Sequence, residues 1–232
     1  QKLKMFKFIF RSKYMEELFK SREEIFDTLF IRYPSLEPCK DNIYKAFELL
    51  KKTAVNSNTL YLAGNGGSAA DSEHIVGELM KSFMAKRPID AKLAEKLKSM
   101  YGKEGENLSL DLEGGFRAVS LPSLISLSTA IINDVNSDVM FAQMLNSIGI
   151  EGDVFWGIST SGNSKNIVKA AMLAKAKGLK VMALVGQKEC KLDSLCDVII
   201  HVPETETYKV QELHLPVYHA LCAMLESEFY KK

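Results

Sequence analysis

Five short apolar runs, all but the last two separated by a stretch with helical spacing, restrict this chain more than any other feature. The runs lie at 59–63, 117–121, 153–158, 180–185 and 198–202. They are nearly continuous rather than alternating, as strands covered on both faces must be. Helical patterns fall at 69–83, 123–132, 139–148, 164–177 and 208–230. This alternation predicts an α/β domain with a parallel sheet, right-handed crossovers and ligands gathered at the carboxyl ends of the strands. Two amphipathic helices, expected at 15–33 and 42–56, precede the first strand. That is more than one α/β layer needs, so one of them is expected to pack on a partner subunit.

The segment 86–115 breaks the rhythm. It is polar, rich in lysine and bounded by Pro88 and Gly114-Gly115, and it reads as an insertion with a short surface helix at 91–100. The N-terminal stretch 2–11 places basic residues around Phe6, Phe8, Ile9 and Phe10, but its apolar run is too short for a signal peptide. The expected organisation is therefore an extension and helix over 1–41 and one domain over 42–232, a length that suits a single domain. Thirty basic and 29 acidic residues leave a net charge of +1, so no global field favours nucleic acid or an anionic membrane. No apolar stretch is long enough to span a bilayer. Cys39, Cys190, Cys196 and Cys222 form no C-x-x-C pair, and they read as reduced thiols of a cytoplasmic protein.

Chemistry concentrates in three places. The first is Gly64-Asn65-Gly66-Gly67-Ser68, which joins a strand to a helix. Free N–H groups and the positive end of the helix make such a corner an anion site. His74 and Glu78 follow four residues apart and share one helix face. The second is Gly157-Ile158-Ser159-Thr160-Ser161-Gly162-Asn163-Ser164, another strand-to-helix corner crowded with hydroxyls. Ser164 also suits an N-cap. Neither corner has a Walker lysine or the spacing of a dinucleotide fingerprint. The third is Gln211-Glu212-Leu213-His214-Leu215-Pro216-Val217-Tyr218-His219. Gln211 and His219 sit about 80° apart around a helix and can border one cleft. His214 has no evident partner and reads as structural, and Pro216 is expected to kink the helix or start it.

Taken in order and spacing, the three blocks resemble the phosphoheptose isomerases of the sugar-isomerase (SIS) domain superfamily, from about residue 42 to 228. The resemblance implies a three-layer α/β/α sandwich with a five-stranded parallel sheet, assembled as a homotetramer with sites between subunits. It implies an enediolate isomerisation of D-sedoheptulose 7-phosphate to D-glycero-D-manno-heptose 7-phosphate. Ser159, Thr160, Ser161 and Ser164 would hold the sugar phosphate, and Asn65, Gly66, Gly67 and Ser68 would grip substrate at the first corner. Asn133-Asp134 would lie near the substrate with Gln211. Glu78 and His219 would be the acid/base pair, and His74, Glu78, Gln211 and His219 would bind zinc. Two positions depart from the family pattern: Tyr208 replaces an Asp and Ser82 replaces an Arg. Isomerisation of another phosphosugar, or a binding or regulatory role such as recognition of a replication initiator, are the alternatives. The complete His/Glu/Gln/His set favours an enzyme.

Overall fold

The computed structural model describes residues 21–230. Eight α-helices and five strands are present among them. Helices α1 (Arg22–Arg32) and α2 (Lys40–Val55) lead into β1 (Leu60–Ala63) and α3 (Gly67–Met80). After α4 (Ala91–Asp111) come β2 (Ala118–Ser120), α5 (Ile125–Asp134) and α6 (Met140–Ile148). The chain closes with β3 (Val154–Ser159), α7 (Lys165–Ala176), β4 (Lys180–Val185), β5 (Val198–His201) and α8 (Thr207–Tyr230). All five strands are parallel, in the order β2-β1-β3-β4-β5. The direction of winding reverses between β1 and β3, which opens a crevice at their carboxyl ends.

Why the sheet is covered twice can be read strand by strand. Successive side chains point to opposite faces. Leu60, Leu62, Trp156, Ile158, Met182 and Leu184 pack into one core with α1, α2, α3 and α8. Their neighbours Tyr61, Ala63, Phe155, Val181, Ala183 and Val185 pack into a second core with α6 and α7. This is the expected three-layer sandwich. Both leading helices pack on their own chain. Leu29 and Phe30 of α1 and Ile43, Phe47 and Leu50 of α2 all belong to the first core, and Arg22 of α1 pairs with Glu228 of α8 at 3.0 Å. The expected helix start at 15–20 lies outside the described residues.

Two local expectations change and a third is narrowed. The helix of the insertion is longer than 91–100 and is broken at Gly102 (φ 58°, ψ −130°), so its two halves fold back on each other. Lys98 and Glu106 pair across that break at 3.0 Å. Of the two expected places for Pro216, the structure has the helix interior rather than the start of α8. Ser164 precedes α7 but makes no capping bond; its hydroxyl instead lies 3.1 Å from that of Ser159. Among the described residues, no helix is long and apolar enough to cross a membrane.

Candidate active site

Both glycine- and serine-rich corners sit where the crevice opens, one after β1 and one after β3. Gly66, in a left-handed conformation, turns the chain into α3. The Ser68 N–H donates to the Asn65 carbonyl at 3.0 Å, and Ser68 is buried. Asn65 reaches across to the second corner's helix: its amide and that of Asn166 exchange bonds of 3.0 and 2.8 Å. The two corners are thereby locked together. In the second, Ser161 Oγ accepts from the Asn163 N–H at 3.2 Å, and the Gly186 N–H donates to the Thr160 carbonyl at 3.0 Å. The hydroxyls and free N–H groups therefore crowd one helix N-terminus, where an anion is favoured.

The start of α8 lies over the start of α3, with the Gln211 side chain against Gly67. A Cβ at position 67 would come within 2.5 Å of Gln211 Nε2. Two turns further along α8, His219 faces α3. His74 Nε2 lies 3.2 Å from Glu78 Oε1 and 3.5 Å from His219 Nε2. His74 and Glu78, paired by spacing, thus meet His219, which the resemblance adds to them, whereas the Gln211 amide rests over the first corner.

A chain of hydrogen bonds sets the histidine's orientation. The Tyr218 hydroxyl donates to Asp71 Oδ1 at 3.2 Å, so His74 Nδ1, 3.1 Å from that hydroxyl, must be the donor to it. In the neutral ring, Nε2 then presents a lone pair toward Glu78 and His219. Burial, with Asp71 adding to it, pushes the Tyr218 phenol well above its ordinary range, which keeps it protonated. Burial likewise raises Asp71, against the pull of its bond from Tyr218. Burial also lowers His219, with His74 acting in the same direction and Glu78 opposing, so its imidazole is neutral at pH 7. Glu78 Oε2 is buried with no hydrogen-bond partner; Lys81 Nζ is 3.8 Å away. His74 Nε2, Glu78 Oε1 and His219 Nε2 face one another, and their lone pairs are donors that a divalent cation accepts. His74, Glu78 and His219 therefore fit a zinc ion.

The far end of α3 is anchored by a buried ion pair. Arg87 Nε donates to Glu226 Oε1 at 2.7 Å, with both side chains essentially inaccessible. Arg87 also caps the helix that carries Glu78, donating to the Leu79 and Glu78 carbonyls at 2.8 and 2.9 Å. Glu226 accepts from the N–H groups of Phe83, Met84 and Ala85 as well. Asn133 and Asp134 end α5, where the Asn133 amide donates to Asp134 at 2.8 Å. Among the described residues, no hydrogen bond joins that pair to the other candidates.

Asp71, Tyr218, Asn166, Arg87 and Glu226 were not singled out from the sequence. Asp71 had a usable signal, lying three and seven residues before His74 and Glu78 on one helical face. Arg87 and Glu226, 139 positions apart, had none.

The SIS-domain profile matches residues 114–186, a span that contains β2, β3, β4 and the serine-rich corner. Over 176 residues the chain is 38% identical to the phosphoheptose isomerase of Aneurinibacillus thermoaerophilus, covering 76% of each. The chain belongs to the phosphoheptose isomerase family. A family member from Helicobacter pylori strain 26695 is 33% identical over 198 residues, covering 85% of this chain and 90% of its own. Among solved structures, a phosphoheptose isomerase from Neisseria gonorrhoeae superposes with a TM-score of 0.64 at 30% identity, covering 81% of this chain and 86% of that one. The phosphoheptose isomerase from Francisella tularensis, at 21% identity and a TM-score of 0.66, shares the fold.

Proposed function

We propose that this chain is an aldose–ketose isomerase that converts D-sedoheptulose 7-phosphate to D-glycero-D-manno-heptose 7-phosphate through an enediolate. The observation that carries the reading is the meeting of His74, Glu78 and His219 on helices that both border the phosphate-type corners. Isomerisation moves a proton between C1 and C2 while charge develops on the adjacent oxygen. Glu78 accepts and returns the carbon proton, as the carboxylate that meets the two histidines of the cleft. His219, neutral at pH 7, exchanges protons with the sugar oxygens. Ser159, Thr160, Ser161 and Ser164 hold the phosphate, and Asn65, Gly66, Gly67, Ser68 and Gln211 align the chain of hydroxyls. Anchoring the unreactive end turns binding into orientation at the reacting carbons. His74, Glu78 and His219 would hold a zinc ion, which when bound would polarise the substrate carbonyl. Gln211 is read as a substrate contact in preference to a fourth ligand.

We further propose a homotetramer of the cytoplasm with Asn133 and Asp134 placed near substrate by assembly. Helix α5 supports this: Ile125 and Ile132, about one heptad apart on one helix face, are exposed, as are Leu124 and Val135 at its ends. The cysteines among the described residues are free thiols, as a reducing compartment requires.

Incubating the protein with sedoheptulose 7-phosphate in deuterated water tests the reaction. Product should form with solvent deuterium at carbon, and Glu78→Gln should lower turnover about 10²–10⁴-fold with the fold intact. Near-normal turnover in that variant would remove Glu78 from the chemistry. Tight binding of the sugar phosphate without turnover or exchange by the wild type would favour the binding-protein reading instead.

A further inference from the structure

A second group of metal-type ligands lies outside the site just described. Cys190, Asp193 and His201 each offer a ligand atom, and the three atoms all lie within 4.8 Å of one another. His201 ends β5, in register with Val185 at the end of β4. Cys190 and Asp193 belong to the loop that joins those strands.

The backbone commits each of these groups so that one atom is left pointing inward. His201 Nδ1 is 2.8 Å from the Gly186 carbonyl, so that nitrogen donates and Nε2 faces Asp193 Oδ1 at 2.7 Å. Asp193 Oδ2 accepts the Cys190 N–H at 2.7 Å, which leaves Oδ1 toward both His201 and the Cys190 sulfur, 3.7 Å away. An imidazole whose other nitrogen donates to a main-chain carbonyl is the usual setting of a metal-bound histidine. With a neutral ring, the lone pair of Nε2 meets a carboxylate oxygen head-on, and only a proton or a cation between them resolves the contact. Tetrahedral zinc separates such donors by roughly 3.3–3.5 Å. The Cys190–Asp193 spacing already suits it, and the His201–Asp193 contact has to open by roughly 0.6 Å.

We propose that Cys190, Asp193 and His201 form a second zinc site, with three protein ligands and the fourth position open to water. Thiolate, imidazole and carboxylate together are a donor set for zinc rather than for magnesium or calcium. Binding releases the thiol proton and whatever proton lies between His201 and Asp193. The site touches the serine-rich corner. Gly162 there has φ 62°, and a Cβ on it would overlap the Cys190 sulfur. The Lys191 N–H donates to the Asn163 side chain at 3.0 Å. A zinc ion would thus tie the β4–β5 loop to the loop assigned to phosphate.

Cobalt(II) distinguishes this site from the one at His74, because only this one contains sulfur. Reduced, chelator-stripped protein titrated with cobalt should show a thiolate-to-cobalt charge-transfer band that saturates within two equivalents, the His74 site taking the other, and is bleached by zinc. The band should vanish in Cys190→Ser and require at least tenfold more cobalt in His201→Gln or Asp193→Asn. It should persist in His74→Gln. Circular dichroism of each variant checks that the fold is kept. A wild-type spectrum without the band overturns the proposal. So does a band that survives Cys190→Ser, or one unchanged in affinity in either of the other two variants; in those cases His201 and Asp193 are a plain ion pair.

Discussion

Replacing Arg87 by methionine removes the cation from a pair sealed inside the protein while roughly preserving its volume. Three charge-assisted bonds are lost, one to Glu226 and two to the carbonyls that close α3. Breaking a buried pair by removing one partner costs about 3–5 kcal/mol, because the other charge is left behind. Here Glu226 keeps the three N–H groups of Phe83, Met84 and Ala85, which places the loss near the lower end, about 3 kcal/mol. For a domain of this size each kcal/mol lowers Tm by about 2–4 °C, so the melt should fall by about 6–12 °C. Thermal unfolding followed by circular dichroism measures it. Changing Glu226 to glutamine in the same chain should recover part of the deficit, since the orphaned charge disappears and the amide oxygen keeps the Met84 and Ala85 N–H bonds, with only the Phe83 N–H facing the amide nitrogen. A drop under about 2 °C, or a double variant no more stable than Arg87→Met alone, would show that the pair is not the anchor described.

Ser161→Asp should weaken binding of the phosphorylated substrate strongly while costing at most about 1 kcal/mol of stability, because a helix N-terminus accepts a carboxylate where it would accept phosphate. Calorimetric titration beside a thermal melt checks this, and unchanged affinity would place the phosphate elsewhere. Stripping metal with a chelator should abolish turnover and zinc should restore it; full activity in protein shown metal-free by elemental analysis would leave the carbonyl to protein groups alone. His214 is fully buried, and neither ring nitrogen has a hydrogen bond of sound geometry. Burial depresses it to about 4, a nearby Val185 backbone group opposing only weakly. Protons therefore bind the unfolded chain first, so stability should fall as pH drops from about 6.5 toward 4, by about 3 kcal/mol in all. His214→Leu should lose that part of the acid dependence in urea melts, and an unaltered pH profile would refute it.

The sheet was legible because its strands are buried on both faces, so apolar continuity alone marks Leu60–Ala63 or Val181–Val185. The corners and the His74/Glu78 pair were legible because their geometry is local, set by turn residues and a four-residue helical spacing. Tertiary choices left no such trace. Ser164 looks like a cap, yet its hydroxyl meets Ser159 once β3 ends beside it. Nothing near Arg87 announces Glu226, and Asn166 becomes meaningful only when β3 lies next to β1 and brings Asn65 within reach. The insertion's helix reads short in the sequence because a glycine such as Gly102 marks a helix end, whereas here the chain turns at φ 58° and resumes helix on the far side.

The strand order carries a kinetic consequence. β1 pairs first in sequence with β2 on one side, and its partner on the other side, β3, arrives only some ninety residues after it. Pairings of such long separation form late, after their loop-closure entropy has been met. A chain emerging from a ribosome therefore holds its first corner well before the second exists, and His219 comes later still. No truncated nascent form can present all three parts of the cleft at once. A sugar phosphate would bind only chains that have completed the sheet, and by mass action would protect those chains selectively against unfolding and proteolysis.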